Sequence, residues 1–344
     1  MSDAPAPTLA DVARHAGVSV ATASRVLSGS RQVSSEREKR VQEASRALRY
    51  RHNAVASALR SQRTETVGFV LPRYSTAFLS ALIESASAGL EREGVSLVLR
   101  YSAPDARHDR DNIESLLARR VDGIILCPPS EEASRESIAL AGSTPVVQVG
   151  RFVDPDATDS VGLDESRATA LLVAHLATTR ATSIVAVGLD PIIPADARRL
   201  DALRLAGEHS GIRVRIADPV RATLQGGIDA AELLLAVWTD GAGSAPSTRD
   251  WDTLVCANDD VAAGAIAVLR MRGVRVPEDV QVASLLDVSL AEDDVAITTL
   301  RHPWSAMGRE AVRLLMDARA SDRDGVTRRV SLAPQLIVGA STRA

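Results

Sequence analysis

The sequence of 344 residues has two cysteines and no long apolar run. Cys127 and Cys256 each end a short apolar segment, which predicts buried, reduced thiols rather than a disulfide or a metal-binding pair. No run of about 18 apolar residues is present to cross a membrane, and the opening residues MSDAPAPT lack the basic and apolar regions of a signal peptide. We therefore expect a cytoplasmic protein that has no contact with a membrane.

Signatures of catalysis are also missing. The sequence contains no GxSxG elbow, GxxxxGK[ST] loop, HExxH or CxxC motif, and no GxGxxG motif follows a strand. The six histidines are scattered along the chain: His15, His52, His108, His175, His209 and His302. Because they do not cluster, they give no support for a metal site. The sequence therefore predicts neither an enzyme nor a bound cofactor or metal.

Positive charge is concentrated in the first fifth of the chain. The net charge is −4, but residues 1–63 carry 11 basic and 5 acidic side chains, a net charge of +6, which leaves −10 for the rest. A basic head on an acidic body predicts a polyanion-binding module joined to a domain that repels polyanions. A solvated basic face without a partner is the alternative.

Three short helices are predicted in the head. The segment 8–11 (TLAD) has the spacing of a capping box, and the helical period of apolar residues that follows it stops at Gly17. Ser19 can cap a second helix that runs to about position 27. Ser34 or Ser35 can cap a third, charged helix that runs to about position 49.

The first two helices have the spacing of a helix-turn-helix. Ala13 is a small residue where the helices cross, Gly17 allows the turn, and Val18 seals the pair. A helix in the DNA major groove benefits from small side chains, because a duplex of fixed width must approach its surface. The second helix can present small, hydroxyl and guanidinium groups to DNA: Val20, Ala21, Thr22, Ser24 and Arg25. An ordinary helical hairpin is the alternative.

A hinge helix and linker are predicted at residues 52–65, between a head at 1–51 and a body at 66–344. Asn53 could cap a helical stretch there. An isolated helix of under about 12 residues is marginal in water. We therefore expect this segment to become ordered only when a partner holds it.

The body alternates short β-rich runs with longer helical stretches. Continuous apolar strands separated by helices predict parallel sheets that are covered on both faces. Two doubly wound lobes account for the pattern, with a ligand cleft at the carboxyl ends of the strands. We place the first lobe at about 66–164 and 300–328, and the second at about 165–299 and 329–344.

Consecutive motifs of the head resemble the headpiece of the LacI/GalR family of bacterial transcription regulators: TLADVARHAGVS, ATASRVLSG, VSSEREKRV, LRY and NAVASALR. The body resembles that family's periplasmic-binding-protein-like core in VDGIIL, CANDDVAAGAIAVLR, VRVPEDVQVASLLD, TTLRHPWSAMGREAVRLL and LIVGAST. The resemblance implies a repressor that binds a pseudo-palindromic operator in double-stranded DNA as a homodimer or a dimer of dimers. It also implies allosteric control by a small molecule in the cleft. The absence of an obvious heptad repeat after the core favours the dimer.

The resemblance extends the set of residues that we expect at the DNA. It implies a hinge helix in the minor groove, where Leu59 matches a leucine that wedges into the central base step, with Ala56 packed nearby. A lone hydrophobic residue on a frayed linker is the alternative for Leu59. The predicted DNA-binding set is Thr8, Ser19, Val20, Ala21, Thr22, Ser24, Arg25, Asn53, Ala56 and Leu59.

The resemblance also implies effector-binding residues: Phe78, Arg199, Asn258 and Asp287. Arg199 matches the family's effector-binding arginine in RLDAL, and Arg204 is the rival position in a second alignment. Each assignment has a structural alternative. Phe78 could belong to the core, Arg199 could pair with Asp196, Asn258 could cap a helix, and Asp287 could lie in a solvated turn.

The resemblance weakens in the cleft. An acidic residue that sugar-responsive members place at a strand end is Gly150 here, a first aspartate is replaced by Leu286, and the segment 221–223 (RAT) lacks the family's aromatic residue. These differences disfavour a hexose. A sugar-like effector is therefore one alternative, beside a DNA-binding regulator without a sugar effector and a solute-binding protein.

Overall fold

The computed structural model describes residues 7–27, 34–50, 63–72, 77–102, 106–127, 131–150, 158–240, 250–287, 297–320 and 326–344. The chain divides into two compact units, Met1–Glu65 and Thr66–Ala344. The division coincides with the predicted start of the body. Most of the predicted hinge, including Asn53, Ala56 and Leu59, lies outside the described residues. None of the helices in the described ranges is long and apolar enough to span a membrane.

The described part of the first unit has three helices: α1 (Leu9–Ala16), α2 (Val20–Leu27) and α3 (Ser35–Ala47). Their shared core is built from valine and alanine: Val12, Ala13, Ala16, Ala23, Val41 and Ala44. Because these side chains are small, the helices pack closely and the core buries little apolar area. The head therefore has the three predicted helices and a small core.

The second unit contains two sheets. Its described strands are β1 (Thr66–Pro72), β2 (Ser96–Ser102), β3 (Gly123–Leu126), β4 (Val146–Gly150), β5 (Asp159–Leu163), β6 (Ser183–Val187), β7 (Arg213–Ile216), β8 (Thr253–Cys256), β9 (Gln281–Ser284), β10 (Thr298–Arg301), β11 (Arg329–Leu332) and β12 (Gln335–Ile337). Its described helices are α4 (Ala77–Arg92), α5 (Ala106–Ala118), α6 (Glu131–Ala141), α7 (Glu165–Thr178), α8 (Pro194–Ser210), α9 (Leu224–Asp240), α10 (Asp259–Met271) and α11 (Trp304–Ala320).

The strand orders are β11-β5-β4-β3-β1-β2 in the first sheet and β12-β10-β9-β8-β6-β7 in the second. Neighbouring strands are parallel, except that β10 and β12 run antiparallel. The direction of winding reverses between β1 and β3 and between β6 and β8. In doubly wound sheets, ligands bind at the carboxyl ends of the strands at such reversals. The topology therefore places a crevice beyond the ends of β6 and β8.

Helices cover both faces of each sheet. In the first lobe, α4 and α11 pack on one face, and α5 and α6 pack on the other. In the second lobe, α9 and α10 cover one face, and α7 and α8 cover the other. Contact between α4 and α11 requires Gly308, because a Cβ atom there would lie 2.6 Å from the carbonyl oxygen of Leu82. The predicted class, two doubly wound parallel-sheet lobes, is confirmed.

The predicted lobe boundaries are wrong by a few residues at the last two crossings. We assigned residues from 300 to the first lobe, but β10 lies wholly in the second sheet. We assigned residues from 329 to the second lobe, but β11 pairs with β5 in the first sheet. The crossing falls between β11 and β12, where Pro334 lacks the N–H group that would continue a strand. The sequence pattern showed one strand region there because both short strands are similarly apolar.

Candidate DNA-binding and effector sites

The N-terminus of α1 is closed by a capping box. The Thr8 hydroxyl donates to Oδ2 of Asp11 at 2.7 Å, and the Thr8 amide donates to the same oxygen at 2.9 Å. The Asp11 amide in turn donates to Oγ1 of Thr8 at 3.3 Å. The hydrogen bonds from Thr8 lower the pKa of Asp11. Thr8 was predicted as a DNA-binding residue, and the structure gives its hydroxyl a capping role at an exposed position.

The turn between α1 and α2 depends on a glycine. Gly17 has a φ of 63°, in the left-handed region, and the Val18 amide donates to the Ala13 carbonyl at 3.0 Å. Nη2 of Arg40 on α3 donates to the Gly17 carbonyl at 3.0 Å. The predicted helix-turn-helix geometry is therefore present. Sequence reasoning missed Arg40, because a contact across 23 residues leaves no local pattern.

The second helix leaves the predicted side chains at least partly accessible. Ser19 caps it, since its Oγ accepts from the Thr22 amide at 3.1 Å. Ala23 is fully buried against the other two helices. The remaining predicted positions are exposed or half-buried: Val20, Ala21 and Arg25 are exposed, and Thr22 and Ser24 are half-buried. A helix face of small groups and one guanidinium is thus accessible to a DNA groove.

Arg199 in α8 is held by two carboxylates. Its Nη2 and Nε donate to the Glu165 carboxylate at 3.1 and 3.4 Å, and its Nη1 donates to Asp196 at 3.3 Å. The Arg199 side chain is 18% exposed. Burial opposes the charge on Glu165, but the charge and hydrogen bonds of Arg199 outweigh it and lower the pKa of Glu165. The pairing with Asp196 that the sequence left open is present, and Glu165 was missed.

Asn258 has both ends of its amide occupied. Its Oδ1 accepts from the Val261 amide at 3.0 Å and so caps α10, and its Nδ2 donates to the Ala222 carbonyl at 3.0 Å. The side chain lies directly beyond β8, at the predicted crevice. The helix-cap role that the sequence allowed is therefore the one that the structure shows.

Asp287 contacts the segment that leads from β10 in the second lobe to α11 in the first lobe. Its Oδ1 accepts from the His302 amide at 3.0 Å, and its Oδ2 lies 3.9 Å from Nε of Arg301. His302 is 4% exposed and stacks on Trp304, with ring centroids 5.1 Å apart. No pattern in the sequence indicated the burial of His302, which lies at the start of the crossing to α11.

Four further positions that the sequence singled out have other outcomes. Phe78 lies in the first turn of α4, and its side chain is outside the described part of the structure. Arg204, the rival to Arg199, is exposed and pairs with Asp201 at 3.5 Å. Cys256 is buried, which raises the pKa of its thiol, and Cys127 is half-buried. Neither cysteine forms a disulfide within the described part of the chain.

Two family models match the chain. The model described as bacterial regulatory proteins, lacI family, matches residues 8–53, and the periplasmic binding protein-like domain matches residues 173–342. The HTH-type transcriptional regulator AscG of Escherichia coli (strain K12) is 31% identical over 315 residues, which are 90% of this chain and 91% of the relative. The regulator MalR of Streptomyces coelicolor is 30% identical over 321 residues, covering 90% and 89%.

Solved structures show the same architecture. A complex of the transcriptional regulator CelR with cellobiose is 27% identical with a TM-score of 0.68, covering 97% of this chain and 99% of that one. The lac repressor dimer bound to operator and the anti-inducer ONPF is 23% identical with a TM-score of 0.78, covering 98% and 99%. At 23% identity, the likeness to the lac repressor shows a shared fold alone.

Proposed function

Because the chain belongs to the LacI family of bacterial regulatory proteins, we propose that it represses transcription as a homodimer on a pseudo-palindromic operator. Membership makes it a DNA-binding transcriptional regulator and not an enzyme. The observation that carries the proposal is the exposed face of α2, which is held by the Ser19 cap, the Gly17 turn and buried Ala23. Its site of action is the cytoplasm, where operators are accessible.

We propose that the two heads of a dimer bind two half-sites. Phosphate contacts from the basic head give salt-dependent affinity, and side chains of α2 read base edges in the major groove. Val20 and Ala21 suit thymine methyl groups, the Thr22 and Ser24 hydroxyls suit phosphates or base edges, and Arg25 suits guanine. Residues 52–65, with Leu59 as the minor-groove wedge, form the hinge in this proposal.

We propose that a small molecule in the crevice between the lobes controls operator binding. Support comes from the winding reversals of the sheets, which place a crevice at the carboxyl ends, and from the cellobiose bound in the CelR relative. A ligand that prefers one lobe angle shifts the dimer between states in proportion to its differential affinity. An effector other than a hexose is favoured here, because Gly150 and Leu286 stand where sugar-responsive members of the family have acidic residues.

Replacing Arg25 with alanine tests the readout. We expect a loss of about 1–3 kcal/mol of operator binding for each lost base contact, and relaxed selectivity at one operator position. Fluorescence anisotropy with an operator and its single-base variants measures both. Arg14→Ala is the matched control, since it removes the same charge from α1, where Arg14 pairs with Asp11 at 2.9 Å. Equal selectivity in the two variants would remove Arg25 from the readout.

A further inference from the structure

The N-terminal turn of α2 has no fully buried side chain to anchor it in the core of the head. Val20 and Ala21 are exposed and Thr22 is half-buried, and the first fully buried residue of this helix is Ala23. In helix-turn-helix proteins the N-terminal residues of the second helix contact base edges in the major groove. The part of α2 that enters the groove therefore depends on the segment before it for its position.

That segment, residues 17–19, is tied to α1 and α2 through its backbone. Gly17 has a left-handed φ of 63°, the Val18 amide donates to the Ala13 carbonyl at 3.0 Å, and the Ser19 hydroxyl caps α2. The Val18 side chain also packs against the core of the head. These backbone bonds join the turn to the first two helices, so that its link to α3 depends on side chains.

Arg40 supplies a polar link between the turn and α3. Its Nη2 donates to the Gly17 carbonyl oxygen at 3.0 Å, across 23 residues of sequence. A hydrogen bond from a charged donor is stronger than one between neutral groups. At 13 residues, α3 is longer than α1 and α2, and it buries Val41 and Ala44 in the core. The bond therefore fixes the turn to a helix that is itself anchored.

The location of Arg40 separates its effect on DNA binding from its effect on folding. Arg40 is exposed, so its removal opens no cavity in the core and costs little in the free energy of unfolding. The bond nevertheless restrains the Gly17 carbonyl, which is two residues before the cap of α2. A turn that has lost this restraint must be ordered when DNA binds, which lowers the affinity.

We propose that Arg40 is a positioning residue for DNA recognition, because it holds the turn through the Gly17 carbonyl and so sets the direction in which α2 enters the major groove. The inference rests on the proposed role of α2 in base readout, and it adds a residue on α3 that reads no base itself. An exposed guanidinium can also bind a DNA phosphate, and the test must separate that role from positioning.

Arg40→Met tests the inference, since it removes every donor of the side chain and keeps an unbranched stem. With the full-length protein and a selected operator, we expect the affinity measured by fluorescence anisotropy to fall about fivefold for each head, and so about 25-fold for a dimer on two half-sites. The slope of affinity against salt concentration should not change, because no phosphate contact is lost.

Hydrogen–deuterium exchange of the DNA-free protein, followed by mass spectrometry, tests the local effect. We expect faster exchange in peptides that cover residues 17–23 of the Arg40→Met variant, because the turn and the start of α2 open more often. Exchange in peptides that cover residues 35–47 should be the same as in the wild type. Local opening of this kind is what distinguishes a positioning residue from one that stabilises the whole head.

Arg46→Met is the matched control. Arg46 is an exposed arginine on the same helix, and its Nε donates at 3.4 Å to the Gln42 carbonyl, so that its hydrogen bond lies within α3. The replacement removes the same charge without affecting the turn. Operator affinity should stay within about twofold of the wild type, and the exchange of residues 17–23 should not change.

Three outcomes for the Arg40 variant would overturn the inference. A salt slope reduced by about 2 would show that each head had lost a phosphate contact. Faster exchange in all three helices would show a general effect on the stability of the head. Behaviour equal to that of the Arg46 variant would show that Arg40 does not act on the turn. If the wild type itself bound the selected operator no better than unrelated DNA, the proposed base readout would be refuted, and the inference with it.

Discussion

Replacement of Arg199 with alanine is expected to destabilise the second unit by about 3 kcal/mol. The reason is that two partly buried carboxylates, Glu165 and Asp196, would lose their shared counterion and much of their hydrogen bonding. Removing one partner of a buried ion pair costs far more than the pair contributes when intact. Urea unfolding followed by circular dichroism measures the change. The result decides between a structural arginine and one that is kept free for an anionic ligand.

The pH dependence of this effect has a defined sign. The pKa of Glu165 lies below its ordinary value of 4.5 in the folded protein. The ionised Glu165 carboxylate therefore makes its full contribution to the free energy of unfolding above pH 4.5, and this contribution is lost as the pH falls through the folded-state pKa. The stability difference between wild type and Arg199→Ala should therefore shrink in the acid range. Arg204→Ala is the control, since Arg204 makes an exposed pair on the same helix and should cost under about 1 kcal/mol. Equal stability of the two variants would contradict the structural role.

Replacement of Gly17 with valine is expected to reduce operator affinity by about 100-fold, because a β-branched residue at a left-handed φ costs about 3 kcal/mol. The head has a core of valine and alanine side chains that cannot absorb such a loss. Operator binding would then have to supply the free energy that orders the α2 face, and the measured affinity would fall by that amount. Operator titrations, with thermal melting of the head and body followed separately, measure the effect.

Asparagine at the same position is the control for Gly17. It tolerates the left-handed region, and a Cβ atom at Gly17 meets its nearest neighbour, Nη2 of Arg40, at an ordinary 3.6 Å. Gly17→Asn should therefore bind operator nearly as the wild type does. If valine and asparagine behaved alike, the backbone of the turn would not be what positions α2.

Local features of this protein were predictable from sequence because they depend on neighbouring residues. The capping box of Thr8 and Asp11, the turn at Gly17 and the cap at Ser19 each act within three or four residues. The alternation of strands and helices likewise fixed the sheet type, because continuous apolar strands must be covered on both faces. These patterns locate the head helices and the two lobes.

Contacts between distant segments left no such pattern. Glu165 and Arg199 are 34 residues apart, and the bond from Arg40 to the Gly17 carbonyl spans 23. The assignment of β11 to the first sheet depends on pairing with β5, which lies far away in the chain. The burial of His302 follows from its place at a crossing between lobes. Each of these contacts could be identified only from the fold, because partners that lie far apart in the chain leave no local sequence pattern.

The central claim, a dimeric repressor that reads a specific operator, is tested most directly by in vitro selection of random DNA with the full-length protein. The selected sites are retested at two salt concentrations. We expect a palindromic motif with two half-sites and a flexible central step, whose selectivity persists as the salt-dependent phosphate contribution declines. Recovery of no motif, with binding that vanishes at moderate salt, would contradict it.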